Sequence, residues 1–150
     1  MATGKCSITF GAPGAKVLAA FYAGDGNFNL SLSPVVTQNV VDFTIAASPG
    51  TRSIAPGGST TYTITLTPVN GFTGTVAITC GGEPADSTCT LSATSVALSG
   101  PASKTSTATV TTTGGVAAGA HPLTFTGKYG TGSPSSGGLT HSATVTLSVR

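Results

Sequence analysis

Tryptophan is absent from this chain, methionine occurs once, and the aromatic set is three Tyr and six Phe. Without clustered aromatics there is no platform on which nucleic-acid bases stack. Charge is scarce as well: charged residues make up 7% of the sequence, against roughly 25% in an ordinary soluble domain. The net charge is +2 and the six Lys and Arg stand singly. No basic stripe can neutralise a run of phosphates, which excludes nucleic acid as a partner. No apolar run reaches the ~18 residues of a spanning helix, which argues against membrane insertion. The opening Met1-Ala2-Thr3-Gly4-Lys5 leads into no hydrophobic segment of the signal-peptide kind. If the protein is exported, this sequence is expected to be one piece of a longer chain, with Met1 an added start.

What fills the sequence instead is hydroxyl: Ser and Thr occupy 45 of the 150 positions. A helical period is missing throughout, and alternation of period 2 takes its place. In TTYTITLTPV, Tyr62, Ile64 and Leu66 point one way and Thr61, Thr63, Thr65 and Thr67 the other, a strand with one dry and one wet face. The same pattern marks TGTVAIT, CTLSATSVAL, STATVTT, HPLTFTGKY and SATVTLSV. Turn formers separate these runs: Pro56-Gly57-Gly58, Asn70-Gly71, Ser99-Gly100-Pro101, Gly114-Gly115 and the stretch from Gly130 to Gly138. The spacing predicts an all-β chain. From Asp42 to the end it holds about eight short strands, the rhythm of an immunoglobulin-like β-sandwich of Greek-key type. Residues 1–41 offer only three strands: KCSITF, KVLAAFYA and LSLSPVVTQNVV. Three strands cannot close a sandwich, and they leave an apolar face and open edges. No Pro/Gly/Ser-rich linker separates the two parts, which implies units strung tightly end to end.

The stretch DFTIAASPGTRSIAPGGSTTYTITLTPVNGFTGTVAITCGGEPADSTCTLSATSVAL, continued by AAGAHPLTFTGKYG and LTHSATVTLSV, resembles one complete repeat of the Ser/Thr-rich bacterial Ig-like domains strung in tandem in large exported proteins. KCSITF followed by AKVLAAFYAGDGNFNLSLSPVVTQNV is similar to the C-terminal half of a related repeat, through its tyrosine, its Gly-Asp-x-Asn-Phe turn and its Val-Thr-Gln ending. The resemblance implies a truncated Ig-like unit at 1–41 and a complete sandwich at 42–150. It implies a spacer, stalk or adhesive module at the cell surface or outside the cell, without catalytic residues. It also implies that Cys6 is the second member of a local disulfide whose partner is missing.

Cys80 and Cys89 close a loop of turn formers, CGGEPADSTC. Zinc needs two further thiolates or imidazoles, and Cys6, His121 and His141 lie apart without paired spacing. A C-x-x-C redox pair is absent. A disulfide fits, and closing a loop of this length stabilises by about 2–3 kcal/mol. The separation is expected to be too short to join opposite sheets, so the bond reads as a local staple and not the inter-sheet bridge of antibody domains. Cys6 is left as a free thiol, an intermolecular link or the buried relic of a lost pair. Asp25, Asn27 and Asn29 have the i, i+2, i+4 spacing of calcium loops, but Leu30 stands where glycine belongs and Val36 where Glu belongs. A hairpin turn with Gly and Asn at positive φ accounts for the same residues. Asn29-Leu30-Ser31 is also a glycosylation sequon. Asp42 with Lys104 or Lys128 supplies the residue types of an isopeptide bond. Glu83 and Asp86 read as solvated turn residues, and neither His121 nor His141 has a nucleophile on an elbow.

These observations point to a non-catalytic extracellular or cell-surface module that needs no cofactor. It is expected to act as a spacer, surface-fibre or adhesion unit. Its expected partners are neighbouring Ig-like domains or other copies of itself, joined through β-strand addition at the open edges of residues 1–41. The alternative is a carbohydrate-binding accessory module of a secreted polysaccharide-degrading enzyme, contacting surface glycans. Tyr129, beside the Gly/Ser-rich turn, is its candidate contact, the other aromatics falling mostly on inward or turn positions.

Overall fold

The computed structural model describes residues 6–130 and 138–150. All regular structure among them is β, and no helix is long and apolar enough to cross a membrane. Four short strands come first: β1 (Gly14–Leu18), β2 (Phe21–Tyr22), β3 (Ser31–Leu32) and β4 (Val36–Val40). β1 pairs antiparallel with β4 and β2 with β3, giving two small two-stranded sheets. Then follow β5 (Asp42–Ser48), β6 (Thr51–Ile54), β7 (Ser59–Val69), β8 (Thr73–Gly81), β9 (Ser87–Leu91), β10 (Ser95–Ser99), β11 (Lys104–Thr112), β12 (Gly119–Tyr129) and β13 (Leu139–Val149). They form a four-stranded sheet, β5-β7-β11-β9, and a five-stranded sheet, β10-β8-β12-β13-β6. β6 runs parallel to β13, and the other neighbours are antiparallel.

The alternation in β7 works as its sequence requires. Tyr62, Ile64 and Leu66 are fully buried, while Thr61 and Thr63 are exposed and Thr65 and Thr67 half-buried. On the outer face Thr61, Thr63 and Thr65 stand opposite Thr109, Thr107 and Thr105 of β11. β-branched side chains suit this pleated surface, and facing Thr pairs add cross-strand stabilisation while staying wet. On the inner side Phe43, Tyr62, Ile64, Leu66, Ala108 and Val110 meet Val76, Ile78, Leu123, Phe125, Val145 and Leu147 of the opposite sheet. The Tyr62 hydroxyl spans the gap and donates to the Thr146 carbonyl at 3.0 Å. Gly127 is glycine because a Cβ there would meet Phe43 at 3.0 Å and Val76 at 3.2 Å. The missing side chain is the space that the Phe43 ring occupies.

From β5 to β12 the chain changes sheet at every connection, and only the β12–β13 connection stays within one sheet. This corrects several sequence expectations. CTLSATSVAL is not one strand: β9 and β10 lie in different sheets, with the turn at Ser92–Thr94 held by Ser106. The buried Ser106 hydroxyl donates to the Ala93 carbonyl at 2.8 Å and accepts from the Ala93 N–H at 3.1 Å. Asn70-Gly71, with φ of 52° and 79°, turns the chain from β7 in one sheet to β8 in the other. The buried Phe72 plugs that corner. TRSI forms β6, a strand that its exposed polar pattern concealed.

Upstream, Cys6–Phe10 of KCSITF carry no regular structure, since no strand pairs with them, and Lys5 lies outside the described residues. KVLAAFYA divides between β1 and β2. LSLSPVVTQNVV divides between β3 and β4 at Pro34, which has no N–H to give a ladder. Most of the expected turn between Gly130 and Gly138 lies outside the described residues.

Cys80 and Cys89 are joined by a disulfide with Cα atoms 6.4 Å apart. Cys80 lies in β8 and Cys89 in β9, so the bond does connect the two sheets, against the expectation of a staple within one layer. The short separation suffices because β8 and β9 are consecutive and the loop between them turns over the edge of the sandwich. Replacing both cysteines by serine is expected to lower the unfolding free energy by about 2–3 kcal/mol. Denaturant titration of the oxidised and substituted proteins checks this, and equal midpoints would contradict it.

Candidate functional site: the junction and the exposed hairpins

Val41 is the single residue between β4 and β5, so the small sheet runs almost directly into the sandwich. The Asn39 side-chain amide donates to the Asn70 carbonyl at 3.0 Å, and the Asn70 amide to the Val40 carbonyl at 3.5 Å. Asn70 can do this because its backbone holds the left-handed conformation that Asn tolerates. On the other side of the junction Asp42 Oδ1 lies 2.7 Å from His141 Nε2 and also accepts the Phe43 N–H at 2.7 Å. The His141 ring stands edge-on to Phe43, centroids 4.9 Å apart. With side-chain exposures of 36% for His141 and 20% for Asp42, the pair is partly solvated and contributes at most about 1 kcal/mol. An open groove beside it is lined by Phe10–Pro13, Val40–Asp42 and Leu139.

The structure separates the candidates read from the sequence. Asp42 is engaged with His141, and Lys104 and Lys128 are exposed. No signal in the sequence announced the Asp42–His141 pair, because its members are 99 positions apart. Glu83 lies beside Cys80 and Cys89, ligand atoms within 4.8 Å of one another. The sulfurs are bonded to each other, so they offer no thiolate to a metal. Cys6 is an exposed free cysteine. Tyr129 is half-buried, its ring edge-on to Phe72 at 5.0 Å and so close to Gly74 that any side chain there would collide with it.

Asp25 organises the loop between β2 and β3. Its Oδ1 accepts the N–H groups of Asn27 and Phe28 at 2.8 and 2.9 Å, and its Oδ2 accepts the Tyr22 hydroxyl at 2.5 Å. The positive φ falls on Gly24 at 84°, and not on Asn27 or Asn29. Three aromatics of this region are exposed: Phe28 in the expected turn, and Phe21 and Tyr22 in a strand, where the inward positions expected of most aromatics do not hold. Phe21 and Tyr22 are consecutive in a strand and therefore face opposite ways, so they do not form a flat row.

No protein-family pattern matches the chain, and no curated protein does. Two solved structures of the S-layer protein SbsC are similar to it: domains 4 and 5, and domains 1–6. Each match has 22% identity and a TM-score of 0.46 and covers 91% of this chain. The chain spans 65% of the length of the first and 16% of the second.

Every large apolar side chain found exposed among the described residues lies between Ile8 and Val41. Val17, Phe21, Phe28, Leu30, Leu32, Val35 and Val36 are each more than 60% exposed. The sandwich shows no such residue. Fully burying a side chain of this size recovers roughly 1.5–3 kcal/mol, so among the described residues the apolar surface left to cover is concentrated here.

The Asp25 carboxyl is held below its ordinary value by the Tyr22 hydroxyl and then by the Asn27 and Phe28 N–H groups. Its contribution to loop order is therefore present above the ordinary Asp pKa of about 3.9 and is lost as pH falls through the lowered value. An NMR titration is expected to show the Asp25 carboxyl and the Asn27 and Phe28 amides sharing one low midpoint. Tyr22→Phe should raise it, and an unchanged midpoint would show that the hydroxyl does not stabilise the carboxylate.

Proposed function

We propose that this chain is a non-catalytic, Ig-like structural module of an extracellular or cell-surface protein. In this reading residues 42–150 are a complete sandwich and residues 1–41 belong to a second unit of the same type, the two held in line. The sheet order supports the Ig-like assignment: β5-β7-β11-β9 corresponds to A-B-E-D, and β8-β12-β13 to C-F-G. Two strands depart from that pattern: β10, added beside β8 between the fourth and fifth of these strands, and β6, added parallel to β13 between the first and second. The inter-sheet disulfide supports an oxidising compartment. A surface of Thr and Ser hydroxyls keeps the sandwich wet with little charge.

The observation that carries the proposal is the junction. One residue between strands, braced by Asn39 and Asn70, leaves little freedom to bend, which is what a spacer or fibre unit requires. Its partners are then neighbouring domains or further copies, met end to end or through the exposed strands.

The test is relative orientation in solution. Residual dipolar couplings from residues 14–40 and 42–149 are expected to fit one alignment tensor. Asn39→Ala combined with Asn70→Gly should give two tensors while leaving the melting temperature of the sandwich within a few degrees. Two tensors already in the unsubstituted protein would end the spacer reading.

A further inference from the structure

The sandwich has four edge strands, β5 and β9 in one sheet and β10 and β6 in the other. An edge leaves a row of backbone N–H and C=O groups without a ladder partner, and proteins ordinarily blunt such rows with charge, proline or bulges. β5 carries Asp42 and β6 carries Arg52, while β9 begins directly after Asp86 and is bonded to β8 through Cys89. β10 has no charge, no proline and an unbroken register with β8. From Ser87 to Ser103 the sequence holds no charged residue, and β10 itself, Ser95-Val96-Ala97-Leu98-Ser99, is nearly the same in both directions.

The ladder with β8 determines which groups of β10 are left over. The Ile78 N–H donates to the Thr94 carbonyl at 2.7 Å, and Thr94 continues the register in which Val96 faces Val76 and Leu98 faces Gly74. Alternate residues of an antiparallel strand exchange both bonds with the same neighbour. Thr94, Val96 and Leu98 therefore serve β8, and Ser95, Ala97 and Ser99 turn their N–H and C=O groups to the open edge. The row stops at both ends, because the Ala93 N–H and carbonyl are held by the Ser106 hydroxyl and Pro101 has no N–H. What remains is a set of groups symmetric about Ala97, with no partner among the described residues. The side chains alternate to match: Val96 and Leu98 are buried, and Ser95, Ala97 and Ser99 are exposed.

We propose that β10 docks against β10 of a second copy of this chain, antiparallel about a two-fold axis at Ala97. This deepens the module reading, and rests on it, by naming one side-to-side contact between copies. Ser95 of each copy faces Ser99 of the other and Ala97 faces Ala97, every pair exchanging both backbone bonds. Between them Val96 of each copy meets Leu98 of the other on the inner face, so the two cores abut. The near-palindrome lets one strand supply both halves of the contact, which is the self-complementarity that an isologous interface requires. The small side chains of Ser95, Ala97 and Ser99 put neither bulk nor like charge at the axis. The five-stranded sheets of the two copies become one continuous sheet.

Cysteine cross-linking of the full chain, with Cys6→Ser to remove the free thiol, tests the register. Facing residues of a bonded antiparallel pair have Cα atoms about 5.5 Å apart, within disulfide range. In a glutathione buffer Ala97→Cys is expected to form a covalent dimer roughly tenfold faster than Ser95→Cys or Ser99→Cys alone, since pairing raises the effective thiol concentration only where like positions meet. A mixture of Ser95→Cys and Ser99→Cys should link the two variants to each other at a rate comparable to Ala97→Cys. Ala97→Lys, with no cysteine added, sets like charges face to face at the axis. It should abolish the dimer seen by sedimentation at high concentration and leave the melting temperature of the sandwich within a few degrees. Each of three results would overturn the proposal: no faster linking by Ala97→Cys than by the other single variants, rapid self-linking of Ser95→Cys or Ser99→Cys, or a dimer that Ala97→Lys leaves intact. If any of these occurs while a single alignment tensor persists, the module reading stands and only this inference falls.

Discussion

Two sheets can stay together only if the apolar sides of their strands meet. Everything else in this molecule follows from that contact. With so little charge available, the core cannot be supported by ion-pair networks, and the one carboxylate–imidazole contact among the described residues, Asp42–His141, lies partly solvated at the margin. Stability rests on Phe43, Tyr62, Phe125 and the Ile, Leu and Val around them. Each sits where period-2 alternation puts it inside, so one slip of register would turn a whole strand's apolar set outward.

The chain secures that contact by passing between the sheets repeatedly. Three consecutive crossings are fastened by different devices: Asn70-Gly71 with buried Phe72 at β7–β8, the disulfide at β8–β9, and the Ser106 hydroxyl at β9–β10. The result is a unit that is dry within and coated with hydroxyl outside. The upstream β1–β4 pair matches the β12–β13 pairing from Gly14–Val40 to Leu18–Val36, as Gly119–Val149 to Leu123–Val145, without a second layer in the sheets described. The contrast between them shows what the layer contributes, since Val145 is buried and its counterpart Val36 is not.

Much of this was legible in the residues. The all-β class, the wet and dry faces of β7 and the Cys80–Cys89 pairing can all be read from alternation, turn formers and cysteine spacing. The break within CTLSATSVAL could not be read, because a strand that changes sheets keeps its alternation on both sides of the break. Nor could the partial burial of Tyr129, which depends on Phe72 in the β7–β8 turn and Gly74 in β8. The braced junction was visible only as the absence of a linker, since the Asn39–Asn70 contact joins residues 31 positions apart.

What the sequence by itself determined is local: which side chains of each strand can be dry, where the backbone can turn, and how little charge the surface carries. Tertiary structure decided the rest: which sheet each strand joins, and that the disulfide links two layers. The physical reason is that alternation specifies a face but not a partner. Partners are chosen by contacts between residues far apart in the chain, and those exist only once the sheets have come together.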